Sequence, residues 1–120
     1  MAREILFRGK TRDEKEWIEG FYAVFSNTPF IGAPNRYGTM LWQSVISKTV
    51  GQFTGLTDKN GKRIFEGDIT KLSQSGKCYE VKYKSGCFCI GINWAISHEP
   101  DCEVIGNIHD NPELLYGEES

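Results

Sequence analysis

Hydrophobic positions along this chain recur mostly with a period of two, interrupted every few residues by turn formers, and that pattern predicts a succession of short β-strands. Ile5 and Phe7 fall on one face of a first strand over Glu4–Gly9. After the polar loop Thr11–Lys15, the run from Trp17 to Phe25 reads as the returning strand of an N-terminal hairpin. Trp17, Glu19, Phe21, Ala23 and Phe25 share one face of it, and Ile18, Tyr22 and Val24 the other, so coverage on both sides is expected. Gly20 marks a bulge or a crossing point. From Ser26 to Gly38 the breakers Asn27, Pro29, Gly32, Pro34, Asn35 and Gly38 predict a long irregular surface excursion. Thr39–Ile46 fits either period and is read as a strand.

The middle of the chain carries its strongest reversal signal. Between the strand patterns Val50–Thr57 and Arg63–Leu72 lies Asp58-Lys59-Asn60-Gly61. Asn60-Gly61 suits a type I′ turn, while Asp58 with Gly61 suits a type I turn closed by a glycine bulge, and either gives a tight antiparallel reversal. Further on, a two-residue turn at Ser85-Gly86 sets Tyr83 opposite Phe88, Val81 opposite Ile90 and Tyr79 opposite Ile92. That register segregates an apolar ladder from the pairs Lys84–Cys87 and Lys82–Cys89, and a slip of one residue would destroy the segregation. Val81 and its ladder are read as core, so Cys87 and Cys89 should point outward, each beside a lysine that favours its thiolate. Glu103–Ile108 forms a last strand, and Asn111-Pro112-Glu113 offers a cap, a proline at the first helical position and an early acid for a short helix.

Three stretches, Arg3–Lys10, Val50–Ile69 and Val104–Leu114, resemble in order the YopX-like family of phage and prophage proteins. The resemblance implies a mostly β fold with a small barrel and a phage context, and it carries no activity and no site residues. The strand pattern points the same way, to a small antiparallel, SH3-like barrel or a strongly bent sheet that closes its own edges. The expectation is therefore one mainly β domain over residues 1–120, with an N-terminal hairpin lobe (1–49), a second lobe (50–120) and one or two short helical turns.

Composition narrows the functional classes. Aromatic residues at 12% argue against disorder, and no apolar run approaches the roughly 20 residues needed to span a bilayer, which predicts a cytoplasmic protein of a bacterial host with no membrane partner. Charge is uneven: residues 59–84 hold seven bases and three acids, and residues 85–120 hold seven acids and no base. Cys78, Cys87, Cys89 and Cys102 lack the close pairs of zinc knuckles, so they read as structural thiols and no metal or other cofactor is expected. Glu66 and Asp68 share a strand face but read as a charged turn flank, and no catalytic constellation is visible. Two functions remain. The first is a non-enzymatic module that binds a host or phage protein through its loops or acidic end. The alternative is a nucleic-acid-binding barrel using the basic centre, with Lys77, Lys82 and Lys84 as contacts and Trp17, Trp42, Trp94, Tyr22, Tyr79 and Tyr83 as a stacking platform.

Overall fold

The structure, a computed structural model, describes residues 5–73, 75–84, 87–90, 94–95 and 101–116, with backbone alone at 84, 87, 90, 94, 95 and 116. The chain divides into two compact units, Met1–Phe53 and Thr54–Ser120.

The first unit is an antiparallel sheet. The predicted N-terminal hairpin forms from β1 (Phe7–Lys10) and β2 (Trp17–Phe25), pairing Phe7 with Gly20 and Lys10 with Trp17. The irregular excursion expected over residues 26–38 is instead mostly strand: β3 (Thr28–Pro34) pairs with β2, and β4 (Met40–Ser44) pairs with β3. Two reversals make this possible. Ser26 and Asn27 both take positive φ, 51° and 62°, the two-residue geometry whose twist matches flanking strands. Asn35 builds the next turn with its side chain: Oδ1 accepts the N–H groups of Tyr37 (2.8 Å) and Thr39 (3.0 Å), and Gly38 supplies φ of 84°. Pro29 is tolerated because it lies at a non-hydrogen-bonded position toward β2, and toward β4 its carbonyl still accepts the Val45 N–H at 3.1 Å.

The core of this unit is small. Gly9, Gly20, Ile31 and Val45 are buried on one face, with Thr11, Thr49 and Phe53 completing it. Gly20 is the crossing point that its sequence position suggested, since a Cβ there would collide with the Gly32 carbonyl. The expected closed barrel does not form. β1 gives its beginning to β5 (Gly51–Thr57), pairing Phe7 with Gln52, and its end to the residues after β4, where Ile46 N–H donates to the Lys10 carbonyl at 2.8 Å. With β1 divided in this way, β4 is left as an edge of the order β4-β3-β2-β1-β5. A 3₁₀ turn, Ser47–Thr49, leads into β5, which runs on into the second unit.

The second unit contains β6 (Arg63–Phe65), β7 (Asp68–Leu72), β8 (Cys78–Lys84), β9 (Cys87–Ile90), β10 (Trp94–Ala95), β11 (Cys102–Asn107) and the single helical turn α1 (Glu113–Tyr116). Its five-stranded sheet has the order β10-β9-β8-β7-β11. The β8–β9 register is the one the alternation predicted, Val81 opposite Ile90 and Tyr83 opposite Phe88; the Ser85-Gly86 turn and the Tyr79–Ile92 pairing lie outside the described residues. Ile64, Val81, Cys102 and Val104 form the core, with Leu72 and Tyr79 packed against it.

Of the two turns open at Asp58–Gly61, the type I turn with a glycine bulge forms: Gly61 has φ of 83°, and Asn60 is not among the described residues of positive φ. Asp58 Oδ1 accepts the N–H groups of Asn60 (2.8 Å) and Lys62 (2.9 Å), and Oδ2 accepts the Val104 N–H at 2.8 Å across 46 residues of chain. The C-terminal stretch is stitched similarly. Gly106 lies opposite Ile69 beyond a bulge, Ile108 N–H donates to the Gly67 carbonyl at 2.9 Å, and Asn111 sits against Gly106 where a Cβ would be 2.6 Å from its Oδ1. Asn111 was expected to cap α1 with its side chain; Oδ1 turns back instead to the Asn107 N–H at 3.3 Å.

Burial pushes the Asp58 carboxyl up, but the N–H bonds from Val104, Lys62 and Asn60 and the Lys62 charge outweigh it, leaving the pKa below the ordinary value. A folded-state pKa below the unfolded one stabilises above the unfolded pKa and is lost as pH falls through the folded one. Asp58→Ala should cost about 3 kcal/mol near pH 7, because it strands the partnered N–H groups. The difference between wild type and variant in denaturant melts should shrink once pH falls below about 4; an equal difference at pH 7 and pH 3 would contradict this account.

Candidate functional site

Of the residues that sequence reasoning gathered as a nucleic-acid face, the three lysines belong to the second unit, on or beside β8. Lys77 ends the turn before β8 and is exposed, and Lys82 is exposed on β8 with its Nζ 4.0 Å from Glu80, a surface pair of little energetic weight. The Lys84 side chain lies outside the described residues. The aromatic residues fall in both units. Trp17, Tyr22 and Trp42 belong to the first unit and Tyr79 and Tyr83 to the second, while the Trp94 side chain lies outside the described residues. Tyr79 packs on the core. Trp17 is half-buried, with the Arg8 guanidinium 4.6 Å and the Lys10 ammonium 5.6 Å from its ring centre.

Glu66 and Asp68 do not form an acid pair. Glu66 lies in the turn between β6 and β7, and Asp68 is buried with Oδ2 accepting the Phe65 N–H at 2.7 Å. Asp58, Asn60 and Gly61 act as turn residues. Among the described residues, no three His, Cys, Asp or Glu side chains are grouped to hold a metal, and no helix is long and apolar enough to cross a membrane.

What the sequence reading missed is an exposed apolar surface on the β2–β3–β4 meander. Coverage of β2 on both sides was expected, yet Phe21 is 56%, Val24 57% and Phe25 73% exposed, and on β4 Leu41 is 53% and Trp42 47% exposed. The strand register sorts them. Phe21, Phe25, Phe30, Met40 and Trp42 project to one face; Tyr22, Val24 and Leu41 project to the other. On the first face the Trp42 ring lies over Gly32, leaving no room for a side chain there. The covering fails because the unit's small core ends near Ile31 and Val45, while the β2–β3 hairpin continues past it. A sequence signal was present: from Gly20 to Ser47 the only charged residue is Arg36. Its message was masked by the breakers in the same stretch.

Among the described residues, no strand pairs with the outer edge of β4. The bonds Asn35 N–H to Thr39 carbonyl and Val45 N–H to Pro29 carbonyl bracket the β3–β4 ladder, so by alternation Leu41 and Gln43 bond to β3, while Met40 and Trp42 direct their N–H and C=O groups away from it. Ser44 points the same way, and its carbonyl accepts the Arg12 N–H at 3.1 Å.

The thiols depart from expectation. Cys89 faces Lys82 across the β8–β9 pair, as the register required, but it is buried; the Cys87 side chain lies outside the described residues. Cys102 is fully buried, and burial, with Asp58 and Asp101 adding to it, pushes its pKa up to about 11. Cys78 is half-buried. Under brief alkylation of the native protein at pH 8, Cys89 and Cys102 should stay unlabelled until denaturant is added and Cys78 should label ahead of both. Mass-spectrometric mapping checks this, and early labelling of Cys102 would contradict it.

Comparison with known proteins places this geometry in a family. No curated protein matches the chain. Among solved structures, protein EF1440 from Enterococcus faecalis is similar, with 28% sequence identity, a TM-score of 0.63 and coverage of 95% of this chain and 99% of that one. The YopX protein family matches residues 6–116, nearly the whole length, so the strands and turns described above are those of a member: the chain belongs to the YopX family.

Proposed function

We propose that this protein is a non-enzymatic protein-interaction module of phage or prophage origin, acting in the bacterial cytoplasm, and that its working surface is the β2–β3–β4 meander. One observation carries the reading: this stretch exposes Phe21, Val24, Phe25, Leu41 and Trp42, and from Gly20 to Ser47 it holds a single charge, Arg36. Exposed apolar surface of this kind is what protein contacts desolvate. The residues first expected to make the contact, irregular loops and the acidic C-terminal end, give way to ordered strands. A nucleic-acid partner would need clustered Lys or Arg along the surface, which this stretch lacks.

A photo-crosslinking amino acid at Phe25 should yield discrete protein adducts in cells that express the protein, absent when the same group replaces Lys48. Mobility-shift assays with single-stranded and duplex DNA at low salt should show no binding. Salt-sensitive shifts that disappear in a Lys77→Ala/Lys82→Ala variant, with no adduct at Phe25, would overturn the reading in favour of the basic segment.

A further inference from the structure

We infer that two copies of this chain join through β4, pairing their edges antiparallel about a two-fold axis at Leu41 and merging their two sheets into one continuous sheet. The inference rests on the interaction-module reading and names the first partner of that surface.

Natural sheets guard an open edge with lysine, proline, a bulge or an inward charge. β4 has none of these: Thr39 to Ser47 is uncharged and contains no proline, and Met40–Ser44 pairs with β3 in unbroken register. Its unused groups are self-complementary. In an antiparallel pair a residue exchanges both backbone bonds with its opposite only where both point outward. Met40 and Trp42 point outward, and setting Met40 of one copy against Trp42 of the other satisfies both residues in both copies. The same register puts Leu41 opposite Leu41. The three central cross-strand pairs are then apolar, with Met40–Trp42 contacts on one face and Leu41–Leu41 on the other. Centring the pair on Trp42 would set Leu41 against Gln43 and Met40 against Ser44, whose carbonyl already accepts the Arg12 N–H.

Two features favour a second copy over a partner lying on one face. β4 exposes apolar side chains on both faces, and only a strand alongside reaches both at once. The area argument agrees. Phe21, Phe25, Met40 and Trp42 expose roughly 450 Å² on one face, short of the roughly 800 Å² per partner of a standard interface. Edge pairing does not depend on that area, because main-chain hydrogen bonds along β4 carry the contact.

Sedimentation or light scattering of the full chain from about 10 to 500 μM should show reversible dimerisation, as fits a contact of low-end area. Leu41→Lys, which sets two ammonium groups face to face on the axis, should weaken it about tenfold or more. Val24→Lys, on the same face but two strands away, should leave it unchanged. Unaltered far-UV circular dichroism will establish that both variants fold. Leu41→Cys should give an intermolecular disulfide under mild oxidation beyond the background of the native cysteines, because opposed non-hydrogen-bonded positions lie about 4.5 Å apart at Cα. A chain monomeric throughout this range, or a dimer that survives Leu41→Lys with no crosslink through Leu41→Cys, overturns the inference. Adducts at Phe25 in the same preparations would then show that the interaction reading survives without self-pairing, and their absence that it does not.

Discussion

The Asp58 carboxylate holds the second unit together in a way nothing else in it can replace. A type I turn needs its first side chain to satisfy the N–H groups of the reversal, and any Asp or Asn does that with one oxygen. Asp58 has a second oxygen, and it reaches the Val104 N–H on β11. The central hairpin and the last strand are thereby fixed to each other by a charge-assisted bond in a buried setting, where such bonds are strongest. Asn35 shows the contrast. It builds the same kind of turn between β3 and β4, but both of its bonds go to the turn itself, and the strands it joins remain anchored only by their ladder.

The stretches that mark the family therefore have a physical account that requires no chemistry. Gly67 takes φ of 94° so that Asp68 can fold back to the Phe65 N–H. Gly106 and Asn111 approach too closely for a side chain between them. Ile108 N–H closes onto the Gly67 carbonyl. Each motif is a constraint on backbone path, and the constraints interlock in space although they are far apart in sequence.

Legibility followed how local each determinant was. The β8–β9 register could be read because a period of two over Tyr79–Ile90 allows one pairing that separates apolar from polar positions, and the structure adopts it. The Asp58–Gly61 reversal was readable as a turn, but the bond from its Asp58 to Val104 was not, because no local pattern reveals a partner 46 residues away. Ser26-Asn27 was missed because serine carries no strong preference for positive φ, and Pro29 seemed to forbid a strand that its particular pairing position allows. Cys89 was assigned outward correctly by parity and wrongly by exposure, since parity says which face a residue takes and cannot say what covers that face. The closed barrel failed for a similar reason: closure depends on which strand β1 joins along each part of its length. The exposed meander, the candidate site itself, was written in the sequence as an absence of charge, and an absence is read only once the strands show that the residues are not core.

That absence has an energetic meaning. At roughly 25 cal/mol for each Å² of apolar surface removed from water, the solvent-facing parts of Phe21, Phe25 and Trp42 hold stabilisation that folding of the isolated chain does not collect. Their exposure makes truncation at Phe25 nearly neutral for the chain's own stability, whereas a partner covering it collects the whole transfer term. The ordering cost is already met, because these side chains stand on paired strands and not on a loop. A surface that contributes little to its own fold, is held rigid by that fold and is unaccompanied by charge is suited to association, and the open backbone of β4 gives that association a direction along the sheet.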